Sequence, residues 1–537
     1  MIKCFNKIYF SLISVMSIEL LQLFPLYGQD SDFKQYSNPS IESSAKYKTG
    51  NIYQKDLLLF IDILKECHPA FSSGYKFPFN IDSIAKEGYY WAAQCKDVTR
   101  LKSYLQTIST LLNDGHTSLQ PDINKNFIYP FIFFIDNEKI YLSGINKEYD
   151  SFLGKQIDKI NGHPIFNVLN SFRKIICSDN DVYFIDKVNG FMQLYSVWKD
   201  NPYCLPDSSL SLTFTDNTSV SLHPISTQQI NMSLQQSKNQ INSIRENTKQ
   251  PFLYKLLPEQ SICYLQFNAC IDQSSLRSQY YMNNSNKIPE DADKKLAQYP
   301  RFDIFLKEMF QKIESRKIKT LVIDVRNNEG GNSKLCEVLL SWLKIEKGIK
   351  YGTSSIRFSN LWKQQYPVLA AEYEQTFAEN QLPFEMGKLY KSSFLSNLTK
   401  AKKETSIYDK IDEFFVKNED SDKIFKGNVI FIQNTKTFSS AGFLIITALD
   451  NNIGIVIGDR SSYKPCNYGD MLSWVLPNTK IKGFVSHKIF NRPNADRCND
   501  DYLLPDFYLS PSWADILGNR DIYWEWILNN IKNSNYE

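Results

Sequence analysis

The stretch Asn428–Asp470, NVIFIQNTKTFSSAGFLIITALDNNIGIVIGDRSSYKPCNYGD, decides how the rest of the chain is read. Val429–Ile432 is a short, β-branched apolar run of strand length. A polar turn, Gln433–Thr437, then carries the chain to Ser439 and Ser440, at the head of an apolar, helix-like segment ending near Leu449. A second apolar strand, Ile453–Ile457, leads to a loop bearing Lys464. A serine at a strand-to-helix turn can do either of two things. Its hydroxyl can cap the helix, or it can act as a nucleophile beside the free N–H groups of the helix start. A lysine returning from the next loop could serve as its base if burial removes the ammonium proton. Spacing alone leaves both readings open.

Working outward toward the N-terminus, strands and helices alternate. Ser261–Phe267 reads as a strand, Phe302–Ser315 as a helix, Thr320–Asp324 as a strand and Lys334–Leu343 as a helix. This rhythm predicts an α/β domain with largely parallel pairing. The strand Thr320–Asp324 runs into Asp324–Asn332, DVRNNEGGN, where Gly330 and Gly331 let the backbone turn sharply and offer N–H groups to an anion. A phosphate loop is excluded, because the GxxxxGK[ST] pattern is missing. Residues 345–425 break the alternation with aromatic, charged, mostly helical sequence, which reads either as a lid or as a peripheral addition. At the far end, Asp521–Leu528 is an Asp-capped amphipathic helix.

Residues 226–250 are rich in Gln, Asn and Ser and read as a linker. Before them, 125–225 is β-rich, with hairpin signals at Asn161-Gly162 and at Thr215–Thr218. From Asp56 to about Leu112 the period is helical, with Asp82, Asp97 and Thr99 as candidate caps. This region ends in Asn113–Thr117, NDGHT, which sets His116 in a tight turn; a histidine's reference pKa of about 6.5 needs little adjustment for base catalysis.

Lys3 and Lys7 precede an apolar run, Ile8–Leu26, and then Gly28, which predicts an export signal over 1–28 and a periplasmic or extracellular mature protein. No other stretch is apolar for long enough to span a bilayer, so no stable membrane span is expected after cleavage. The 10 cysteines form no CxxC or Cys/His cluster, which argues against a metal centre, and their spacing identifies no disulfide. No cofactor is expected. The net charge of +3 and the lack of a basic, aromatic-interleaved stripe exclude a nucleic-acid partner. An aromatic content of 14% fits a packed protein with aromatic-lined clefts.

In order along the chain, DGHT at 114–117, GKQIDKINGHP at 154–164, DVRNNEGG at 324–331, TFSSAG at 437–442 and GDRSSYK at 458–464 together resemble peptidase family S41, the C-terminal processing (tail-specific) proteases and their tricorn-core relatives. The resemblance implies a ClpP/crotonase-like α/β catalytic core over 251–537 carrying the insertion 345–425. Ahead of it would stand a helical region (29–124), a PDZ-like β-rich module (125–225) and the linker (226–250). It further implies that Ser439 is the nucleophile and Lys464 the general base. The N–H groups of Ser440 and of Gly330 or Gly331 would form the oxyanion hole. A peptide or protein substrate would be cleaved through an acyl-enzyme. Tricorn-like members use the histidine of DGH, so His116 is the alternative base. It would then need an acidic partner, for which Asp500 and Asp501 are available by position.

Three departures from the family pattern stand out. Gly442 replaces an acidic residue, Glu329 fills a slot usually held by a small one, and Arg460–Tyr463 is a bulkier approach to Lys464. They keep open a non-catalytic ligand- or peptide-binding protein on the same scaffold, and hydrolysis of a non-peptide ester by the same serine.

Overall fold

The computed structural model describes residues 33–531, apart from 73, 75–76, 121–126, 235–242, 247, 284–287 and 401–405. The expected export signal over 1–28 lies outside the described residues.

The architecture is mixed α/β, with helices packed on several sheets. Its centre is a six-stranded sheet. Strands β1 (Phe252–Leu257), β2 (Ile262–Phe267), β3 (Thr320–Asp324), β4 (Asn428–Gln433) and β5 (Ile455–Gly458) lie in that order, with Phe507–Tyr508 at the edge. The pairs from β2 to the Phe507–Tyr508 edge are parallel, and β1 is antiparallel to β2. The middle strands are apolar on both faces because both faces are covered. Side chains alternate accordingly. Cys263, Leu265, Leu321, Ile323 and Phe431 enter the large core, whereas Ile262, Tyr264, Val322, Ile430 and Ile432 meet Tyr523, Trp524 and Ile527 of the C-terminal helix Ile522–Ile531.

A second six-stranded sheet is built on a long antiparallel hairpin, β6 (Asn467–Val475) and β7 (Lys482–Asn491). Lys34–Gln35 pairs with β6, and Ser118–Leu119 pairs with β7. The insertion 345–425 joins this sheet through Thr353–Arg357, which pairs with β7, and Leu389–Lys391. It also grips the N-terminal helix α1 (Ile52–Cys67): Asn360 N–H donates to Glu66 at 2.8 Å, and Arg357 Nη1 donates to the carbonyl of His68, the residue after α1, at 2.7 Å. The insertion is therefore part of the sheet scaffold.

Helices α2 (Ile81–Ala93) and α3 (Val98–Thr110) follow the apolar period. Asp97 caps α3 as expected, but the cap of α2 is Asn80 and not Asp82. The β-rich region has its own core around Phe131, Leu142, Phe172, Trp198 and Leu212. The Asn161-Gly162 hairpin forms, with positive φ at both residues, and so does the hairpin of Leu210–Phe214 with Ser219–Leu222. Within the expected linker 226–250, Met232–Leu234 is a strand paired with Lys139–Asn146. This region also holds helix α4 (Asp181–Gln193), whose N-terminal end reaches the site described next. Among the described residues, no helix is long and apolar enough to cross a membrane.

Candidate active site

The loop after β3 and the loop after β4 lie side by side and are tied together. Asn434 Oδ1 accepts Asn327 N–H at 3.0 Å, and the Asn328 carbonyl accepts Phe438 N–H at 3.0 Å. Thr437 Oγ1 donates to the Val325 carbonyl at 3.0 Å. These bonds hold the turn from which helix α5 (Ser440–Asp450) begins.

Ser439 sits at that turn with φ 50° and ψ −123°, and its side chain makes no capping hydrogen bond. A non-glycine residue held in this region costs about 1–3 kcal/mol. The capping reading therefore does not hold, since the half-buried side chain makes no bond to the helix end. Gly330 explains how the two loops approach so closely. A Cβ at 330 would lie 2.7 Å from the Ser439 Cβ and 2.8 Å from the Ser440 nitrogen, and its φ of +107° favours glycine.

Of the expected oxyanion donors, the Gly330 N–H is committed to Asn328 Oδ1 at 2.9 Å. The Gly331 and Ser440 N–H groups donate to no acceptor among the described residues. Ser440 Oγ donates to the Gly331 carbonyl at 2.7 Å, which locks these two residues to each other.

His116 reaches the serine. Its Nε2 is 3.4 Å from Ser439 Oγ, and its ring stacks on Phe438 with centroids 4.9 Å apart. The DGHT loop is held by Asp114, which is fully buried. Asp114 Oδ1 accepts the His116 backbone N–H at 2.9 Å, while Oδ2 accepts from Thr117 and Ser486, each at 2.6 Å, and from His68 Nε2 at 3.1 Å. The His68 assignment follows from its other ring nitrogen, which accepts the Ala70 N–H. Burial would raise the Asp114 pKa, but the contacts with His116 and His68 outweigh it and hold the carboxyl well below its usual range. His116 is shifted the other way: burial alone would lower its pKa, yet Asp114, Asp179 and Asp470 raise it.

Lys464 is half-buried, and no hydrogen bond or ion pair joins it to Ser439 among the described residues. The expected Ser439–Lys464 pair is thus not formed. Its charge instead acts on Asp179. Asp500 does not serve His116 either, since it faces Arg492 and Arg497 at 3.4 and 3.2 Å.

All three sequence departures have partners. A side chain at Gly442 would overlap the ring of Tyr463, so the missing acidic residue and the bulky loop are one compensated change. Glu329 pairs with Lys187 of α4 at 2.7 Å. The loop carrying Lys464 is further tied by a disulfide between Cys466 and Cys498, which cysteine spacing had not identified.

The β-rich region supplies residues that the motifs did not reveal. Asp179 Oδ1 accepts the Gly115 N–H at 3.0 Å, and Asn180 Nδ2 donates to the carbonyls of Ser462 and Asp501 at 3.1 and 2.8 Å. The Tyr183 ring packs against Phe438, with centroids 4.8 Å apart. In the sequence, Asp179-Asn180 reads only as a helix cap, and His68 carries no signal beyond its place after a helix.

A serine on a strained strand-to-helix turn, with a histidine at its hydroxyl and free N–H groups beside it, defines a site of the serine-hydrolase class. Residues 296–467, which contain Ser439 and both glycines but not His116, match peptidase family S41. No curated protein is matched by the sequence. Among solved structures, mature CPAF complexed with lactacystin is similar at a TM-score of 0.60 and 13% identity, covering 91% of this chain and 100% of that one. Mature CPAF alone gives 0.60 and 14%, covering 92% and 99%. The photosystem II D1 C-terminal processing protease is more distant, at 0.39 and 11%, covering 87% and 96%. At these identities the likeness to CPAF is one of fold.

Proposed function

We propose that the protein is an exported serine endopeptidase in which Ser439 attacks a peptide carbonyl and His116 is the general base. The observation that carries this reading is the 3.4 Å approach of His116 Nε2 to the uncapped Ser439 hydroxyl. In acylation, Nε2 takes the Oγ proton as Oγ bonds to the carbonyl carbon. The tetrahedral oxyanion is received by the N–H groups of Gly331 and Ser440, donors typically worth about 3–4 kcal/mol each to the transition state. Collapse expels the amine, which takes the proton from His116, and water then repeats the sequence on the acyl-enzyme.

In this proposal Lys464 supplies charge at the edge of the site and is not the base. The parallel sheet of β2–β5 serves as a ClpP/crotonase-like core within 251–537, and 125–225 as a PDZ-like module that presents polypeptide to it. Export, directed by residues 1–28, is supported by the Cys466–Cys498 disulfide, a bond favoured in oxidising compartments.

The test is covalent labelling of the purified protein with a fluorophosphonate, alongside hydrolysis of unstructured protein substrates. Labelling at Ser439, and loss of both labelling and hydrolysis in Ser439→Ala, are expected. Hydrolysis that survives in Ser439→Ala overturns the assignment. A folded wild-type protein that neither labels nor cleaves is instead a binding protein on this scaffold.

A further inference from the structure

We propose that Tyr183, on the first turn of α4, is a positioning residue that fixes the spacing of His116 and Ser439. This rests on the reading of these two residues as base and nucleophile.

The ground for it begins at Gly115, the glycine of DGHT. Its backbone lies outside the left-handed region that favours glycine, so conformation does not exclude a side chain there. Tyr183 does. A Cβ at 115 would stand 3.1 Å from the Tyr183 Cζ and 3.4 Å from each Cε, which sets Gly115 against the face of the ring. The same ring packs on Phe438 with centroids 4.8 Å apart, and Phe438 in turn stacks on His116 at 4.9 Å. Tyr183 therefore touches the chain neighbour of each reacting residue, Gly115 before His116 and Phe438 before Ser439.

The ring is itself held in place. Asn180 Oδ1 accepts the Tyr183 N–H at 2.9 Å, and Asn180 Nδ2 donates to the carbonyls of Ser462 and Asp501. One turn further along α4, Lys187 Nζ stands 5.2 Å from the centre of the Tyr183 ring and pairs with Glu329, the residue before Gly330, at 2.7 Å. A single turn of a helix from the β-rich region thus meets the loop of the base, the turn of the nucleophile and the loop of the glycine pair. His116 and Ser439 come from segments distant in the chain, so their separation depends on how far apart their two loops are held. A rigid ring packed on both loops sets that distance, and a misplacement of about 1 Å can cost about 100-fold in rate.

The experiment compares Tyr183→Ala, Tyr183→Phe and Gly115→Ala in the full chain. Peptide hydrolysis is followed beside the His116 ring Cε1–H NMR signal, which senses the Phe438 ring stacked on it. Tyr183→Ala should lower kcat about 10–100-fold with KM within about twofold, and should move the signal by more than its linewidth. Tyr183→Phe keeps the ring and should hold kcat within about threefold, with the signal in place. Gly115→Ala presses a methyl on the ring and should also lower kcat, by a factor that shrinks when Tyr183→Ala removes the ring. An unmoved signal in folded Tyr183→Ala, or a kcat within about twofold of wild type, overturns the proposal. Equal losses in Tyr183→Phe and Tyr183→Ala overturn it too, because the hydroxyl and not the ring would then matter. Should Tyr183→Ala not fold, Gly115→Ala decides, and a kcat within about twofold of wild type overturns the proposal. If the signal moves as expected but wild type cleaves nothing, the spacing role stands and the peptidase reading fails.

Discussion

His116 Nε2 stands 3.4 Å from Ser439 Oγ, although the two residues are 323 positions apart in the chain. The helical N-terminal region supplies one and the strand-to-helix turn of the α/β core supplies the other. They are brought together because Ser118–Leu119, just beyond His116, pairs with β7, and because Ser486 of β7 holds Asp114. The site is therefore a product of docking between regions and not of either region alone.

The two candidate bases separate by mutation. His116→Ala should lower kcat/KM by about 10²–10⁴-fold, the usual contribution of a positioned base. Lys464→Ala should lower it by less than tenfold. Steady-state kinetics on one peptide substrate, or the rate of fluorophosphonate labelling, measures both. The reverse ranking would restore the serine–lysine mechanism.

Activity should be lost on the acid side. In the proposed mechanism His116 must be neutral to take the proton, and the carboxylates around it raise its pKa above the ordinary 6.5. The rate should therefore rise with pH through a midpoint above that value. A kcat/KM profile with its acid limb below pH 6 contradicts this.

Asp179 makes an opposite prediction for stability. Its folded pKa of about 7 lies above the unfolded value near 3.8, so the folded state binds more protons between those values and loses stability as pH rises through the window. Removing the carboxyl should thus stabilise the fold at pH 8, by an order of 1–4 kcal/mol, and change little at pH 4. Thermal melts of Asp179→Asn at the two pH values test this. A lower Tm at pH 8 would show that the carboxylate is not held at a cost.

Gly442 and Tyr463 should be coupled. Gly442→Ala forces a methyl into the Tyr463 ring and is expected to cost about 1–3 kcal/mol. The cost should shrink when Tyr463 is also shortened to Ala. A double-mutant cycle with a coupling below about 0.5 kcal/mol would refute the compensation.

Arg326, the arginine of the DVRNNEGG motif, has a structural task. Buried, it bonds Asp324 at 2.7 Å and Asp521 at 2.8 Å, joining the end of β3 to the C-terminal helix. Arg326→Ala leaves Asp521 buried without its cation and Asp324 with Arg245 alone, at 3.3 Å, and should cost about 3–5 kcal/mol in denaturant unfolding.

What the sequence by itself determined is local. The apolar runs of β3 and β4, the helix Phe302–Ser315, the two hairpins and the glycine pair Gly330-Gly331 all follow from periodicity and backbone freedom, which neighbouring residues control. The stretch Asn428–Asp470 named the serine but left its role between cap and nucleophile. Tertiary structure set aside the cap by holding Ser439 at φ 50° against Gly330 with no capping bond from its side chain. It also put His116 at the hydroxyl in place of Lys464, brought Asp179 from the β-rich region and paired Gly442 with Tyr463. Each of these depends on contacts between segments distant in the chain, and no short window of sequence records such a contact.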